Sequence, residues 1–368
     1  MPDSFKRFIA DLSNPALLRS RESSPTLARV LTDLYVQEER PNGTAEMIRF
    51  AALMAGLLER LGRSDRRIIA EKLGRRSDVS AALVRMLAED EPEVAAPLLA
   101  HSPQLDDATL MRLAERTEVH RAAIARRPDL TRALVTRLVD AGGPETAAAL
   151  AANAALRFEP PLVARLVERL RDAPVAARAF VEREDVAGAD AAPLFLAASE
   201  AGRRKILAGL EAQSGPGRNG GEPLIAALAG DAGDVLYGHA ADGRSVEIVA
   251  SLAKLLRLSP ELAETVLADA GGEPLLVALK ALRISDELIV SILIHANPAV
   301  GHSVARLRTL AELAPTFGAA TADRLVAAWR GEPVRAGHAP QHAPAERPRR
   351  DDVRPAVAQT PEKAASRA

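Results

Sequence analysis

Seven arginines crowd one short stretch of the chain: Arg112, Arg116, Arg121, Arg126, Arg127, Arg132 and Arg137. A second basic run holds Arg63, Arg66, Arg67, Lys72, Arg75 and Arg76. Guanidinium groups at this density can receive phosphates or the carboxylates of an acidic partner. The first cluster is interleaved with Asp106, Asp107, Glu115, Glu118, Asp129 and Asp140. Alternating signs favour a solvated, salt-bridged face over a bare cationic groove. The seven arginines are therefore the candidate surface for a partner, with mutual neutralisation as the simpler reading.

Other side chains capable of chemistry are scattered. His295 and His302 are separated by Asn297, Pro298 and Gly301, which break the helix that could align them, while His338 and His342 fall in a tail without apolar periodicity. A metal site needs converging ligands, such as histidines at i and i+4 on one helix with a third donor nearby. Asp106 and Asp107 are adjacent, so on a helix they do not share a pocket, and acids at a helix start serve the macrodipole. The run GPGRNGG (215–221) is rich in glycine but has no flanking strand to aim its N–H groups at a phosphate. No nucleophile elbow or dinucleotide fingerprint is present, and the cysteine count of 0 excludes thiol chemistry and Cys-ligated metals. These residues predict a protein that is not an enzyme, with no catalytic, cofactor-binding or metal-binding residues and no cofactor.

The elements that would position the arginines come from internal self-similarity. A large apolar residue followed by a capping residue recurs as Val79-Ser80, Leu105-Asp106, Leu130-Thr131, Leu258-Ser259 and Ile284-Ser285. Apolar residues mostly follow at +4 and +8, as in Leu83 and Leu87 or Leu134 and Leu138, which is one helix face behind its cap. The spacing between anchors is 25 or 26 residues where the pattern is regular. GGEPLIAAL (220–228) and GGEPLLVAL (271–279) repeat at an offset of 51 residues, close to two periods. Each period holds two short helices. The first starts at an acidic residue or proline, as in EDEPEVAAPLLA (89–100), TEVHRAAIA (117–125) and GPETAAALAA (143–152). Such hairpins bury their apolar faces only by stacking. The fold class expected is all-α, an α-solenoid of short helical hairpins, HEAT-like, with a repeat near 26 residues.

Between paired helices, Ser102, Arg127, Asn153 and Asn297 take comparable places before or at Pro103, Pro128, Ala154 and Pro298. A polar residue that finishes a helix before a proline stop is the preferred reading. A polar ladder contacting a partner is the other.

The organisation expected is an N-terminal helical cap over 1–72, containing the amphipathic stretch TAEMIRFAALMAGLLERLG (44–62), and a helical repeat module over 73–210. A flexible linker follows at 211–221, then a C-terminal repeat module over 222–330 and a disordered tail over 331–368. Lys+Arg 48 against Asp+Glu 49 leaves a formal net charge of −1, so there is no global attraction to nucleic acid or an anionic membrane. Aromatic residues are 3% of the chain, and Trp329 is the only tryptophan. Base stacking would want more of them. The longest apolar span, 288–305, is interrupted by His295, Asn297, Pro298, Gly301 and His302, and the N-terminus has no apolar signal core. No transmembrane segment and a cytoplasmic location are expected.

The segments LLAHSPQLDDATLMRLAE (98–115), AIARRPDLTRALVTRLV (123–139) and LAANAALRFEPPLVARLV (150–167) resemble the N-terminal repeats of the bacterial family known as domain of unknown function 2336. The block over 252–293 resembles that family's C-terminal part. The resemblance implies a helical protein of unknown function and supplies no catalytic residues. The function expected is a non-enzymatic helical-repeat scaffold or adaptor that offers a concave surface to a protein partner. The alternative is a nucleic-acid-binding helical repeat protein of the HEAT-like glycosylase type.

Overall fold

The computed structural model describes residues 24–37, 43–214 and 231–332, which fall within one compact unit. Every regular element among them is helical: the fold is an all-α repeat arrangement with no strand in the described residues. The first eleven helices are α1 (Ser24–Gln37), α2 (Thr44–Leu58), α3 (Arg63–Leu73), α4 (Ala81–Ala88), α5 (Pro92–His101), α6 (Asp107–Ala114), α7 (Glu118–Ile124), α8 (Arg132–Ala141), α9 (Pro144–Ala152), α10 (Pro160–Leu170) and α11 (Pro174–Glu182). They sort into two layers. The odd helices α1, α3, α5, α7, α9 and α11 pack each on the next. The even helices form the second layer, covering the other side of the shared core.

The expected caps stand where the pattern placed them. Ser80, Asp106 and Thr131 are the N-cap residues of α4, α6 and α8, and the Asp106 carboxylate accepts from the Thr109 N–H at 2.8 Å. Behind them Leu83, Leu87, Leu113, Leu134 and Leu138 are fully buried. The odd layer is held close by small residues: Ala95, Ala123, Ala147 and Ala177 are buried on successive odd helices. Aromatic residues gather where the pattern is irregular. Tyr35 stacks on Phe50 between α1 and α2, and Phe158, just before α10, tilts against Phe180. Larger side chains fill the wider gaps that alanine would leave empty.

A 3-10 segment (Gly188–Ala197) then closes the series, and α12 (Glu200–Ser214) lies against it. A Cβ at Gly188 would sit 2.1 Å from the Lys205 carbonyl oxygen, so only glycine allows that approach. Helix α12 carries residues 211–214 of the expected linker as helix, and 215–221 lie outside the described residues.

The remaining helices are α13 (Ala232–Ala241), α14 (Ser245–Leu256), α15 (Pro260–Ala268), α16 (Glu273–Ala281), α17 (Asp286–Ala296), α18 (Pro298–Gly301), α19 (Val304–Leu313) and α20 (Ala319–Trp329). Ser259 caps α15 and Ser285 is the N-cap residue of α17, as expected. The Gly-Gly of 271–279 opens the next helix. Helix α15 stops at Ala268, the Asp269 carboxylate accepts from the Gly271 and Gly272 N–H groups, and Gly272 is the N-cap of α16. Gly272 has φ +81, and a Cβ there would strike Val300 and Leu310. Its counterpart at 220–228 lies outside the described residues, as does the tail from 333 onward.

Helix α20 packs on α12 and on the 3-10 segment, where Trp329 meets Phe195. A polar joint accompanies this contact. Arg203 of α12 reaches Asp269 at 2.6 and 2.8 Å and Glu273 at 2.8 Å, and Glu273 is 1% exposed. Its guanidinium also lies over the Phe195 ring.

Candidate functional site

The polar residues that end the odd helices are built into the stack. Arg127, just past α7, donates to the carbonyl oxygens of Leu99 (3.2 Å) and Ser102 (3.0 Å) of the preceding repeat. It also forms a two-pronged pair with Asp129 at 2.8 and 2.9 Å. One repeat later Asn153 donates to the Ala125 and Arg127 carbonyls at 2.9 and 2.7 Å. In the C-terminal half Asn297 does the same to Leu267 and Asp269. Each side chain thus satisfies carbonyls that the end of a helix leaves without an intrahelical donor. The helix-finishing reading holds in a stronger form: the residue closes its neighbour's helix from across the repeat interface.

Two further members went unnoticed in the sequence. Arg76 donates to Val36 and grips Asp78, while Arg183 donates to Ala151, Asn153 and Leu156 and grips Asp185. The signal was available, because Arg-x-Asp recurs at 76–78, 127–129 and 183–185. The short Ser102 and Asn153 occupy the intervening repeats. Helix starts are stitched as well. Glu118 accepts from the Gly143 and Thr146 N–H groups at the head of α9, both at 2.9 Å. Burial acts to raise its pKa, but those N–H groups and Arg121 outweigh it and hold the carboxyl below its ordinary value.

The seven candidate arginines do not form one surface. Arg127 is 3% exposed and is withdrawn from any partner-binding role, because its donors are spent inside the stack. Arg112 pairs with Glu89 at 2.5 Å, and Arg116 donates to the Glu89 carbonyl. Arg121 is half-buried against Glu118 and the Ala114 carbonyl. Arg132 pairs with Glu159 and Arg137 with Glu115, each at 2.5 Å. Arg137 holds Glu115 well below the usual carboxylate range. Of the first basic run, Arg63 pairs with Glu91, Arg66 with Asp90, Arg67 with Glu71 and Lys72 with Asp33.

Arg116 and Arg126 are both exposed with no carboxylate in ion-pair reach among the described residues; Arg116 donates to the Glu89 carbonyl, whereas Arg126 has no such bond. With Glu145, Ala148, Ala149, Ala152, Asn153 and Ala154 it lines a shallow open pocket on the solvent side of the odd layer. Arg75, at the corresponding place after α3, is likewise exposed and touches only an imidazole: its Nη2 lies 3.3 Å from His101 Nε2. His101 ends α5 between them. Partial burial, with Arg75, Arg127 and Arg126 nearby, pushes its pKa below the ordinary histidine value.

Trp329 is 7% exposed against Phe195 and is not presented to bases. His295 donates from Nδ1 to the Ser291 carbonyl oxygen and packs edge-on to Tyr237. Among the described residues no three or more His, Cys, Asp or Glu side chains converge as a metal ion would require. Among the same residues no helix is long and apolar enough to cross a membrane.

Residues 94–217 match the family described as an uncharacterised protein conserved in bacteria (DUF2336). The match runs from α5 to just past α12 and takes in the Arg127, Asn153 and Arg183 stitches. The block over 252–293 falls outside the matched residues. No curated protein and no solved structure matches the chain.

Proposed function

We propose that the protein is a non-enzymatic scaffold or adaptor, acting in the cytoplasm, whose odd-layer face receives a segment of a protein partner. One observation carries this reading. The alanine-floored pocket around α9 keeps a cation, Arg126, at its rim without an internal partner, while Arg112, Arg132 and Arg137 are paired with carboxylates. A shallow floor of Ala148, Ala149 and Ala152 lets another backbone approach closely and offers no group to attack a bond. In this reading the cap (1–72) and the two modules (73–210 and 222–330) act as one platform, with the Arg203–Asp269–Glu273 joint as its brace. The nucleic-acid alternative draws little support from a buried Trp329 and from arginines spent on carboxylates.

The test is selection of peptides from a display library on the purified protein. The selected peptides should lose binding to Ala152→Trp, which fills the exposed end of the pocket. Peptides that bind the variant as well as the wild type, or a selection that returns none, would remove the reading.

A further inference from the structure

Among the exposed basic residues without a carboxylate partner, three fall in register. Arg75, His101 and Arg126 take the same place in three consecutive repeats, one residue before the half-buried Arg76 and the buried Ser102 and Arg127. All three are exposed at the solvent-side ends of the odd helices. A basic residue in a helix's last turn gains from the macrodipole, which accounts for each alone. It does not account for the row. Arg75 sits at hydrogen-bond distance from His101, which places a donor against a group that can itself become cationic. No acid among the described residues neutralises Arg75 or Arg126, although the same repeats supply partners for Arg63, Arg66, Arg112 and Arg137. Arg75 and Arg126 leave positive charge uncompensated around His101, and an anion laid across the row would relieve it.

We propose that Arg75, His101 and Arg126 form a receiving row for an acidic, extended segment of the protein partner, with one carboxylate per repeat. The proposal rests on the preceding reading and names the partner's chemistry. Packed helices stand about 8–10 Å apart. An extended chain advances about 3.3 Å per residue, so acidic side chains three residues apart match that step. The row ends at Arg126: the next two positions are Ala152 and Glu182, and Glu145 lies beside Arg126 in the pocket wall. Two arginines and an imidazole bounded by acids suit a short acidic motif better than a phosphate backbone, which would meet Glu145 and Glu182 as repulsive groups.

The test is fluorescence anisotropy with a labelled peptide bearing glutamate at every third residue, and its lysine analogue, on the full chain at low salt. The glutamate peptide should bind, weaken steeply with added salt, and outcompete the lysine analogue. The Arg75→Glu/Arg126→Glu variant should bind at least about ten-fold more weakly. Arg75→Gln/Arg126→Gln, which removes charge without adding any, should shift in the same direction by less. Arg132→Glu, on the even layer and already paired with Glu159, should stay within about two-fold. Unchanged binding in both double variants, with thermal unfolding like the wild type, overturns the proposal. So does tighter binding of a single-stranded oligonucleotide at the same row. If library-selected peptides are lost on Ala152→Trp but not on the double variants, the acidic motif falls and the partner face stands. If none of these variants alters binding, both fall.

Discussion

Arg126 and Arg127 are neighbours in the chain with opposite fates. Arg127 is buried, spends its donors on two carbonyls and one carboxylate, and ties two repeats together. Arg126 is exposed and ties nothing. The same contrast separates Arg75 from Arg76. Both pairs lie just past a helix end, at Leu73 and at Ile124, where the chain leaves the helix and turns one side chain to solvent and the next into the repeat interface. Residue type alone therefore says nothing of role here.

The contrast can be broken at several points. The largest effect belongs to the buried cation of the joint. Arg203→Ala leaves Glu273 and Asp269 without their partner, and breaking a buried pair costs about 3–5 kcal/mol. Urea unfolding should show it, and a change under about 1 kcal/mol would mean that the joint is not a brace. Next comes Arg127→Ala, which strands the Leu99 and Ser102 carbonyls and should cost about 2–3 kcal/mol. Asn153→Ala removes two hydrogen bonds of the same kind and should cost about 1–2 kcal/mol. Each serves two carbonyls, so their order by denaturant midpoint tests whether the buried Arg127 and its pair with Asp129 add to the stitch.

A smaller effect follows from pH. His101 and His120 are both held below the ordinary histidine value of 6.5, chiefly by burial and then by nearby arginines. The unfolded chain therefore binds more protons once the pH drops below about 6.5. Stability is full above that pH and declines as the pH falls through it. The Tm should drop between pH 7.5 and 5.5, and His120→Asn should flatten the slope. A Tm that rises on acidification would contradict the assignment. Smallest of all is Arg126→Ala, which should leave stability within about 0.5 kcal/mol of wild type. If it matched Arg127→Ala, the two residues would not differ as described.

Much of the fold was legible because its signals are local. Leu105-Asp106 and Leu258-Ser259 announce a buried anchor and a cap within two residues, and the structure uses both. The helix-ending role of Asn153 and Asn297 was equally readable from the residues around them. The Arg-x-Asp stitches were visible but masked by the unlike Ser102 and Asn153 between them. The Arg203–Asp269 and Arg203–Glu273 contacts were not legible, since they join residues 66 and 70 apart with no shared periodicity. Nor was the row of Arg75, His101 and Arg126, because a crowded arginine cluster hides which members already have acids.

The stitches also have a direction. Arg76 donates to Val36, Arg127 to Leu99 and Ser102, Asn153 to Ala125 and Arg127, and Arg183 to Ala151 and Asn153. Every donor lies later in the chain than its acceptor. A chain emerging from the ribosome N-terminus first would find each new helix-ending side chain meeting carbonyls already made, so the stack can grow vectorially, one hairpin at a time. Across α1 to α11, trimming from the C-terminal side bares carbonyls that water can serve, whereas trimming from the N-terminal side orphans guanidinium groups such as that of the buried Arg127; Arg203, whose acids lie later in the chain, is the exception.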